Sequence, residues 1–353
     1  MSDKITTFIK KIGWPRLIIG LFLIVLTVFA FFIDLDVKRM GVDVLTRFGM
    51  NAILVLSMVP MIHSGCGPNF GLPVGLIGGM LAAVISVEFH LQGLLGILLA
   101  ILMAIVFGAV FGLLYGLILN KVKGDEMLIA TYVGFSVVAL MNIFWIILPF
   151  RNPDSVMGFK GEGLRVTISL RDYWDKSISK IGAIPLDPFG PDVPGSLWIP
   201  TGMFLFFAIF AFAVWAYFRS KSGTSMTAVG SNPSYAGAAG INVDRVRIQS
   251  VMMSSALGAV GIIIYMQSFG FIQLYNSALS FAFPSVAAIL LGGASINKAS
   301  IINVIIGAFL FQAILTMTPT VINAAIQIDV SEVLRIIISN GLIVYALTRK
   351  GAD

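Results

Sequence analysis

Ten long apolar runs dominate the sequence, and they restrict the fold more than any other feature does. A helix that crosses a membrane needs about 20 mostly apolar residues, and within lipid only helices or a closed barrel satisfy the backbone. The alternating segments of barrel strands are absent from the sequence. We therefore predict an all-α integral membrane protein with about ten transmembrane helices. The runs cover residues 17–33, 48–62, 70–87, 91–120, 127–149, 198–218, 246–268, 278–293, 301–318 and 330–347.

The composition agrees with a lipid environment. Hydrophobic residues make up 58% of the chain and charged residues only 11%, whereas about a quarter of the residues in a soluble domain are charged. The first run follows several lysines, as in a signal peptide, but no small-residue cleavage site follows it. We therefore expect an uncleaved first helix. The single cysteine, Cys66, excludes an intrachain disulfide.

The distribution of charge predicts the orientation in the membrane. Cytoplasmic loops of membrane proteins carry an excess of lysine and arginine, and an even number of crossings places both termini on one side. Residues 150–197 hold six bases and six acids, so we place them outside the membrane of a bacterial cell and both termini in the cytoplasm. The net charge of +6 is then a sign of orientation and not of nucleic-acid binding. The bases that fall inside are Lys4, Lys10, Lys11, Arg16, Lys121, Lys123, Arg219, Lys221, Arg245, Arg247, Lys298, Arg349 and Lys350.

The extracytoplasmic loop, residues 150–197, is rich in proline, so much of it cannot be helical. Within it the sequence "LRVTISL" alternates apolar and polar residues, which is typical of a short strand. The prolines are Pro153, Pro185, Pro188, Pro191 and Pro194.

The cytoplasmic loop, residues 219–247, contains a short helix with both ends marked. In "SNPSYAGAAG", Asn232 suits the N-cap, Pro233 the first helical position and Gly240 the position after the C-cap, where φ is positive. So short a helix is unstable alone in water and needs a surface to dock on. It is either an interfacial turn without a partner or a helix that transmits motion from a cytoplasmic partner. In the second case the small residues Ala236 to Ala239 form a slim face that could enter a narrow cleft of the partner.

Two motifs resemble one family of membrane permeases. "AVGSNPSYAGAAGINVDRVRI" is similar to the cytoplasmic loop of permease subunits of ATP-binding-cassette importers, in the ribose, nucleoside and branched-chain amino-acid group. "AAILLGGASI", residues 287–296, resembles that group's A-x-x-L-G-G-x-S motif. The motifs cover about the last third of the chain, and the plan of ten runs extends the resemblance over the rest. The matching positions of the first motif are Ala228, Gly230, Asn232, Gly240, Ile241, Asn242 and Val243.

The resemblance implies a single permease domain over residues 1–353, the membrane subunit of a binding-protein-dependent, ATP-driven importer. The chain has no Gly-Lys pair and hence no phosphate-binding loop, so it is not expected to be an enzyme or to bind a cofactor. ATP and Mg would bind to a partner ATPase. Further expected partners are an extracytoplasmic solute-binding protein, and a second copy or a related permease. The residues expected to couple to the ATPase are Asn232, Pro233, Tyr235, Ala236 and Gly240.

The stretch "SGCGPNFGLPVG", residues 64–75, interrupts an apolar region. Transporters present broken helices to a passing solute, because irregular backbone at membrane depth survives only against protein or water. We therefore predict that Cys66, Asn69 and Phe70 line the translocation pathway; the alternative is an ordinary loop between the second and third segments. In related permeases this stretch differs between sugar and nucleoside types, and here it matches neither cleanly, so it does not identify the solute. The resemblance implies a small polar solute, which we expect to be a simple sugar or a nucleoside.

Segments 2–5 and 7–10 surround the sixth with similar spacing, which indicates an inverted repeat. The counterpart of the first break would be residues 269–284, which adds Phe271 to the pathway candidates. Gln267, a polar residue inside the seventh apolar run, is a further candidate. Phe70, Tyr265 and Phe271 are candidates to stack on a sugar or a base. Other polar residues inside the runs more often hold helices together; these are Asn51, Asn142, Asn303, Gln312 and Asn340.

Two other functions remain to be compared with import. An ion-coupled secondary transporter would need buried acids, yet Glu88 and Glu332 lie near segment ends and Asp329 lies in an outer loop. A membrane enzyme would need a catalytic constellation, and none is present. His63 and His90 are too isolated in the sequence to suggest a metal site.

Overall fold

The computed structural model describes residues 14–155, 158–159, 163–164, 166–188, 193 and 195–348. Several predicted features lie outside the described residues: the bases Lys4, Lys10, Lys11, Arg349 and Lys350, and two of the loop prolines, Pro191 and Pro194. Within the described ranges the chain is mostly helical.

The helices, in chain order, are α1 Trp14–Phe32, α2 Val37–Leu56, α3 Met58–His63, α4 Leu72–Glu88, α5 Gly93–Leu119, α6 Glu126–Ile147, α7 Thr201–Arg219, α8 Lys221–Ser231, α9 Pro233–Ala238, α10 Val243–Phe269, α11 Leu279–Leu291, α12 Ile301–Ile326 and α13 Ser331–Thr348. The strands are β1 Gly158–Phe159, β2 Gly163–Leu164, β3 Thr167–Ser169, β4 Ile184–Pro185, β5 Trp198–Ile199 and β6 Phe271–Gln273. A 3₁₀ turn, Tyr275–Ala278, precedes α11.

Six helices of the described chain are long and apolar enough to cross a membrane, which makes this a multi-pass membrane protein. They are Val37–His63, which takes α2 and α3 together as one span, Gly93–Leu119, Glu126–Ile147, Thr201–Arg219, Val243–Phe269 and Ile301–Ile326. Three shorter apolar helices cover Arg16–Phe32, Leu72–Glu88 and Tyr275–Leu291. Each predicted apolar run overlaps one of these helices or α13. The ten crossings and the inverted repeat stay predictions.

The bundle has two distinct ends. We call the end that carries residues 148–200 the long-loop end, and the end that carries α8 and α9 the short-helix end. Glu88, at the end of α4, accepts hydrogen bonds from the backbone N–H groups of Arg151 and Asn152 at 2.8 and 3.1 Å, so α4 ends at the long-loop end. His63, at the end of α3, contacts Thr227 of α8, so α2 and α3 run toward the short-helix end.

Helix α10 packs closely against α4 and α5 through small residues. A β-carbon added to Gly108 would lie 2.7 Å from the β-carbon of Ala259, and one added to Gly112 would lie 2.8 Å from that of Ser255. A β-carbon on Gly79 would overlap the backbone of Ala259. Small residues let helices in a membrane approach closely and gain van der Waals contact, so these glycines fix the centre of the bundle.

The predicted start of the second segment, at residue 48, is wrong. Helix α2 begins at Val37, because the carboxylate of Asp36 caps it by accepting from the N–H of Arg39 at 3.0 Å. Met40, Val44 and Phe48 then recur four residues apart and are all buried, which continues one apolar face along the helix. The consequence is that two ionisable residues, Asp43 and Arg47, belong to a membrane-spanning helix.

The long loop, residues 148–200, is attached to the bundle through a strand pair. Part of the predicted strand "LRVTISL" is present as β3, which pairs antiparallel with β6, so that Ser169 lies opposite Phe271. Trp174 is fully buried, and its indole N–H donates to the Ser86 hydroxyl of α4 at 3.0 Å. Among the described residues between 148 and 200 there is no α-helix, in agreement with the proline content.

Candidate functional site

The short helix α9 has the ends that the sequence predicted. The Asn232 side chain accepts from the N–H of Tyr235 at 3.0 Å. At the other end Gly240 has φ of 82°, and the N–H groups of Gly240 and Ile241 bond the carbonyls of Gly237 and Ala236, each at 3.0 Å. This pair of bonds is a Schellman motif. The caps therefore satisfy the backbone of a helix too short to be stable alone.

Helix α9 is stabilised by its own chain, through Ala236. Ala236 is buried in a small apolar cluster with Met226 and Val229 of α8 and Val246 of α10, separate from the main core. The expectation that Ala236 faces a partner is therefore wrong: it anchors α9 to α8 and α10. Tyr235, by contrast, is 73% exposed, and it offers the large side chain of α9 to any partner at this end.

Helix α8 touches the turn that follows α3 without intervening side chains. A β-carbon on Gly230 would overlap the carbonyl oxygen of His63 and lie 2.9 Å from the backbone nitrogen of Gly65. The His63 imidazole binds two further segments: Nε2 donates to the carbonyl of Ala299 at 2.7 Å, and Nδ1 lies 3.4 Å from the Thr227 hydroxyl. The loop before α12, the end of α3 and α8 thus meet at one histidine. His90 lies at the long-loop end, beside Tyr173.

The break at residues 64–71 is a packed, hydrogen-bonded loop at the short-helix end. Asn69 is fully buried; its Nδ2 donates to the Ser254 hydroxyl at 2.8 Å, and its Oδ1 accepts from the Tyr115 hydroxyl at 3.2 Å. Cys66 is buried too, and Phe70 packs against Phe283 with ring centroids 5.5 Å apart. Protein groups satisfy this break, an arrangement that favours the ordinary-loop alternative over a pathway lined by the three residues.

Charged residues gather around the same end. Arg247 forms an ion pair with Glu126 in which both side chains are largely buried, and it also faces the Cys66 thiol. Lys123 and Asp244 form an exposed pair at 2.8 Å. All the described bases that the sequence assigned to the cytoplasm lie at this end: Arg16, Lys121, Lys123, Arg219, Lys221, Arg245, Arg247 and Lys298.

The other two predicted pathway residues lie at the long-loop end, about 30 Å along α10 from Arg247 at 1.5 Å per residue. Gln267 is fully buried, its side-chain Nε2 donates to the Ser179 hydroxyl at 2.8 Å, and its backbone carbonyl accepts from the backbone N–H of Lys176 at 2.7 Å. It therefore joins α10 to the long loop. Phe271 is 45% exposed and lines a small recess with Tyr265 and Phe281. The five predicted pathway residues do not form one site.

Comparison with known proteins identifies the chain. Residues 40–347 match the model of a protein family described as the permease component of the branched-chain amino acid transport system. The chain belongs to this permease family. It is also 31% identical over 134 residues to the nucleoside ABC transporter permease protein NupB of Lactococcus lactis subsp. cremoris (strain MG1363), an alignment that covers 36% of this chain and 35% of that protein. The permease thus spans about a third of that relative's length. No solved structure matches it.

Sequence reasoning missed two ionisable residues of the permease, Asp43 and Arg47, because it began the second segment too late. Arg47 has electrostatic interactions with Arg335 of α13, Tyr265 of α10 and Asp43. Within the described part of the permease, its guanidinium makes no hydrogen bond and no ion pair. The sequence does mark the start of their helix, because Asp36 is a suitable N-cap and apolar residues follow it at helical spacing.

Proposed function

We propose that this permease is the membrane subunit of a binding-protein-dependent, ATP-driven importer of a small polar solute, a simple sugar or a nucleoside. The observation that carries the proposal is the capped, exposed helix α9 at the short-helix end, joined through α8 to the membrane helices by a contact between two backbones. Family membership and the nucleoside permease relative support it.

The energy for transport would come from a partner. In this proposal a separate ATPase binds ATP and Mg²⁺, and Tyr235 and the exposed residues around it dock on that ATPase. Closure of the ATPase would displace α9, and the buried Ala236 would carry α8 with it. The contact of Gly230 with His63 and Gly65 would pass the movement to α3 and α4, on either side of the break.

The short-helix end would face the cytoplasm of a bacterial cell, with both termini on that side and ten helices crossing the inner membrane. The gathering of bases at this end supports the orientation. An inverted repeat is supported by the packing: α2 lies against α10 and α12, while its counterpart α10 lies against α2 and α5. Each of these two helices is also followed by a break, at residues 64–71 and 270–278.

The long loop would then face outward and receive a solute-binding protein. Its buried Trp174 and the pairing of β3 with β6 join it to α4 and to the end of α10, so binding there would be felt by the bundle. A second copy of the permease, or a related permease, would complete the pathway.

A second candidate function is an ion-coupled secondary transporter, and one observation favours it. Asp43 lies within a membrane-spanning helix, which supplies the intramembrane acid that the sequence had not indicated. Acids in such positions often bind coupling ions.

Reconstitution separates the two functions. The permease is placed in proteoliposomes with an ATPase and a binding protein from the same cell, and uptake of labelled uridine and ribose is measured. We expect uptake to require internal ATP and Mg²⁺ and to persist when ionophores remove ion gradients. Uptake without ATP that follows a proton or sodium gradient, and that Asp43→Asn abolishes, would establish the secondary transporter instead.

A further inference from the structure

Helix α7 carries an exposed apolar stripe that ends beside an arginine. Leu205, Ile209 and Phe212 follow each other at helical spacing, and each is more than half exposed. At 100° per residue they lie opposite the buried face of α7, which consists of Met203, Phe207, Ala211 and Val214. Because α7 is long and apolar enough to cross a membrane, this exposed stripe faces lipid. Arg219 is the last residue of the helix, on the same side.

The guanidinium of Arg219 lies over an aromatic ring at the end of this stripe. Its Cζ is 4.0 Å from the centroid of the Trp215 ring. Trp215 is 42% exposed and stacks on Phe212, with ring centroids 5.5 Å apart. The face of an indole attracts a cation, and tryptophan is enriched where lipid tails meet headgroups. The stack therefore holds the guanidinium at the level of the headgroups.

No acid neutralises this guanidinium within the described part of the permease. The Arg219 side chain makes no hydrogen bond and no ion pair there; its contact is with the ring. Residues 193–243 contain no aspartate and no glutamate. Glu126 and Asp244, acids at the same end, are paired with other bases. The N–H groups at the edge of the Arg219 guanidinium are therefore available to an anion.

A second base lies next to Arg219 at a tight corner between two helices. Lys221 begins α8, is exposed, and is separated from Arg219 by Ser220 alone. A β-carbon on Gly223 would lie 2.3 Å from the carbonyl oxygen of Tyr217, and the Ser220 hydroxyl donates to that same carbonyl at 2.6 Å. The backbone of the corner is thus fixed, and it keeps two cations at the end of the lipid-facing stripe.

We propose that this corner binds the phosphate of an anionic phospholipid, whose acyl chains lie along the exposed stripe of α7. A guanidinium donates paired hydrogen bonds to phosphate oxygens, and bases beside a membrane gain energy from anionic lipids. A lipid fits both features, whereas inorganic phosphate or an acidic protein segment would fit only the two bases. A zwitterionic lipid would bring its own cation close to Arg219 and Lys221. The inference goes beyond the proposed import function and does not depend on it.

The test measures lipid binding to the delipidated, full-length permease in a neutral detergent. Native mass spectrometry counts the bound lipids and gives the Kd of the first one, with phosphatidylglycerol and phosphatidylcholine as probes. We expect the wild type to prefer phosphatidylglycerol, and its Kd for this lipid to rise about tenfold in Arg219→Gln. Trp215→Leu should raise it about threefold, because the guanidinium loses the ring that orients it. Arg245→Gln, at an exposed base of the same end, is the matched control for loss of a charge and should bind like wild type.

The two probes and a competitor show whether the ligand is this lipid. Equal Kd values of the wild type for the two lipids would overturn the inference, and so would an Arg219→Gln variant that binds phosphatidylglycerol no more weakly than Arg245→Gln does. Displacement of the lipid by inorganic phosphate would identify the ligand as a free anion instead. If Arg219→Gln binds lipid like wild type but loses affinity for a partner ATPase, the corner is a protein interface.

A conservative variant keeps the test valid if Arg219→Gln does not fold. Arg219→Lys keeps a cation at this position and loses the paired donors, so its Kd for phosphatidylglycerol should lie between those of wild type and Arg219→Gln. Size-exclusion profiles and thermal unfolding show whether each variant is folded. A wild-type Kd in folded Arg219→Lys would contradict the paired hydrogen bonds to phosphate.

Discussion

Gly65 and Gly230 meet backbone to backbone at the short-helix end. A β-carbon added to Gly65 would lie 3.1 Å from the Cα of Gly230, so neither position has room for a side chain. Gly65 also has φ of 77°, a conformation that other residues adopt only with strain. The turn after α3 and the end of α8 are therefore in direct backbone contact, and this contact joins α8, on which α9 packs, to the turn that precedes α4.

Gly230→Ala should loosen that contact. The added methyl group would overlap the carbonyl oxygen of His63, and overpacking of this kind costs about 1–3 kcal/mol. We expect faster amide hydrogen exchange in residues 64–72 and weaker stimulation of the partner ATPase by loaded binding protein. Gly41→Ala, near the start of α2 at the long-loop end, is the matched control, because a β-carbon there would meet no atom within 4 Å. Equal exchange and stimulation in the two variants would show that the contact carries no motion.

The caps of α9 should control its local stability. Asn232→Ala removes the bond to the N–H of Tyr235 and should cost about 0.5–2 kcal/mol. Gly240→Val should have a larger effect, because a β-branched residue resists positive φ. Hydrogen exchange of residues 233–239 measures both effects, with the exposed Ser234→Ala as control. Unchanged exchange in both cap variants would mean that the apolar cluster alone holds the helix.

Substitutions at Tyr235 and Ala236 should have different effects although the two residues are neighbours in sequence. A change at Tyr235 should affect docking on the ATPase, and a change at Ala236 should affect the folding of α9. Tyr235→Ala removes an exposed ring, so it should leave thermal unfolding unchanged while ATP hydrolysis by the partner no longer drives uptake. Ala236→Trp should break the cluster with Met226 and Val229 and speed exchange throughout α9. If Tyr235→Ala couples ATP hydrolysis to uptake as the wild type does, α9 is not the docking element.

The sequence predicted local features of this permease better than tertiary ones. The caps at Asn232 and Gly240 were predictable because each depends on the backbone within a few residues. The composition of residues 64–75 indicated a break, but its enclosure depends on Tyr115 and Ser254, which are distant in sequence. The inward face of Ala236 likewise depends on Val246 of another helix. Asp43 and Arg47 were missed although the capping Asp36 and the spacing of apolar residues marked their helix.

The attachment of the long loop to α10 should depend on one buried amide. Gln267→Leu leaves the Ser179 hydroxyl without the donor that lies at 2.8 Å, and an unsatisfied buried polar group costs about 1–3 kcal/mol. Thermal unfolding of the purified permease measures this cost. Adding Ser179→Ala should recover part of it, since both partners are then absent. Fully additive losses in the double variant would show that the two side chains act independently.

Asp175 of the long loop should make stability depend on pH. Burial raises the pKa of its carboxyl above the ordinary value of 3.8, although Lys176, Lys180 and Arg171 act in the opposite direction. Its Oδ1 is buried without a hydrogen-bond partner among the described residues. Because the pKa is raised in the folded state, the stability that Asp175 contributes is present below pH 3.8 and is lost as pH rises through the folded value.

Asp175→Asn removes the carboxyl group that can become charged, so the variant should not lose this stability as the pH rises. We expect the variant to unfold at a higher temperature than wild type at pH 8, and the difference to shrink as the pH falls through the folded pKa of Asp175 toward 3.8. Asp172→Asn, at an exposed neighbour in the same loop, is the control for loss of a charge, and at pH 8 it should raise the unfolding temperature less than Asp175→Asn does. A constant difference between Asp175→Asn and wild type across this range would mean that burial does not raise the pKa of the Asp175 carboxyl in the folded permease.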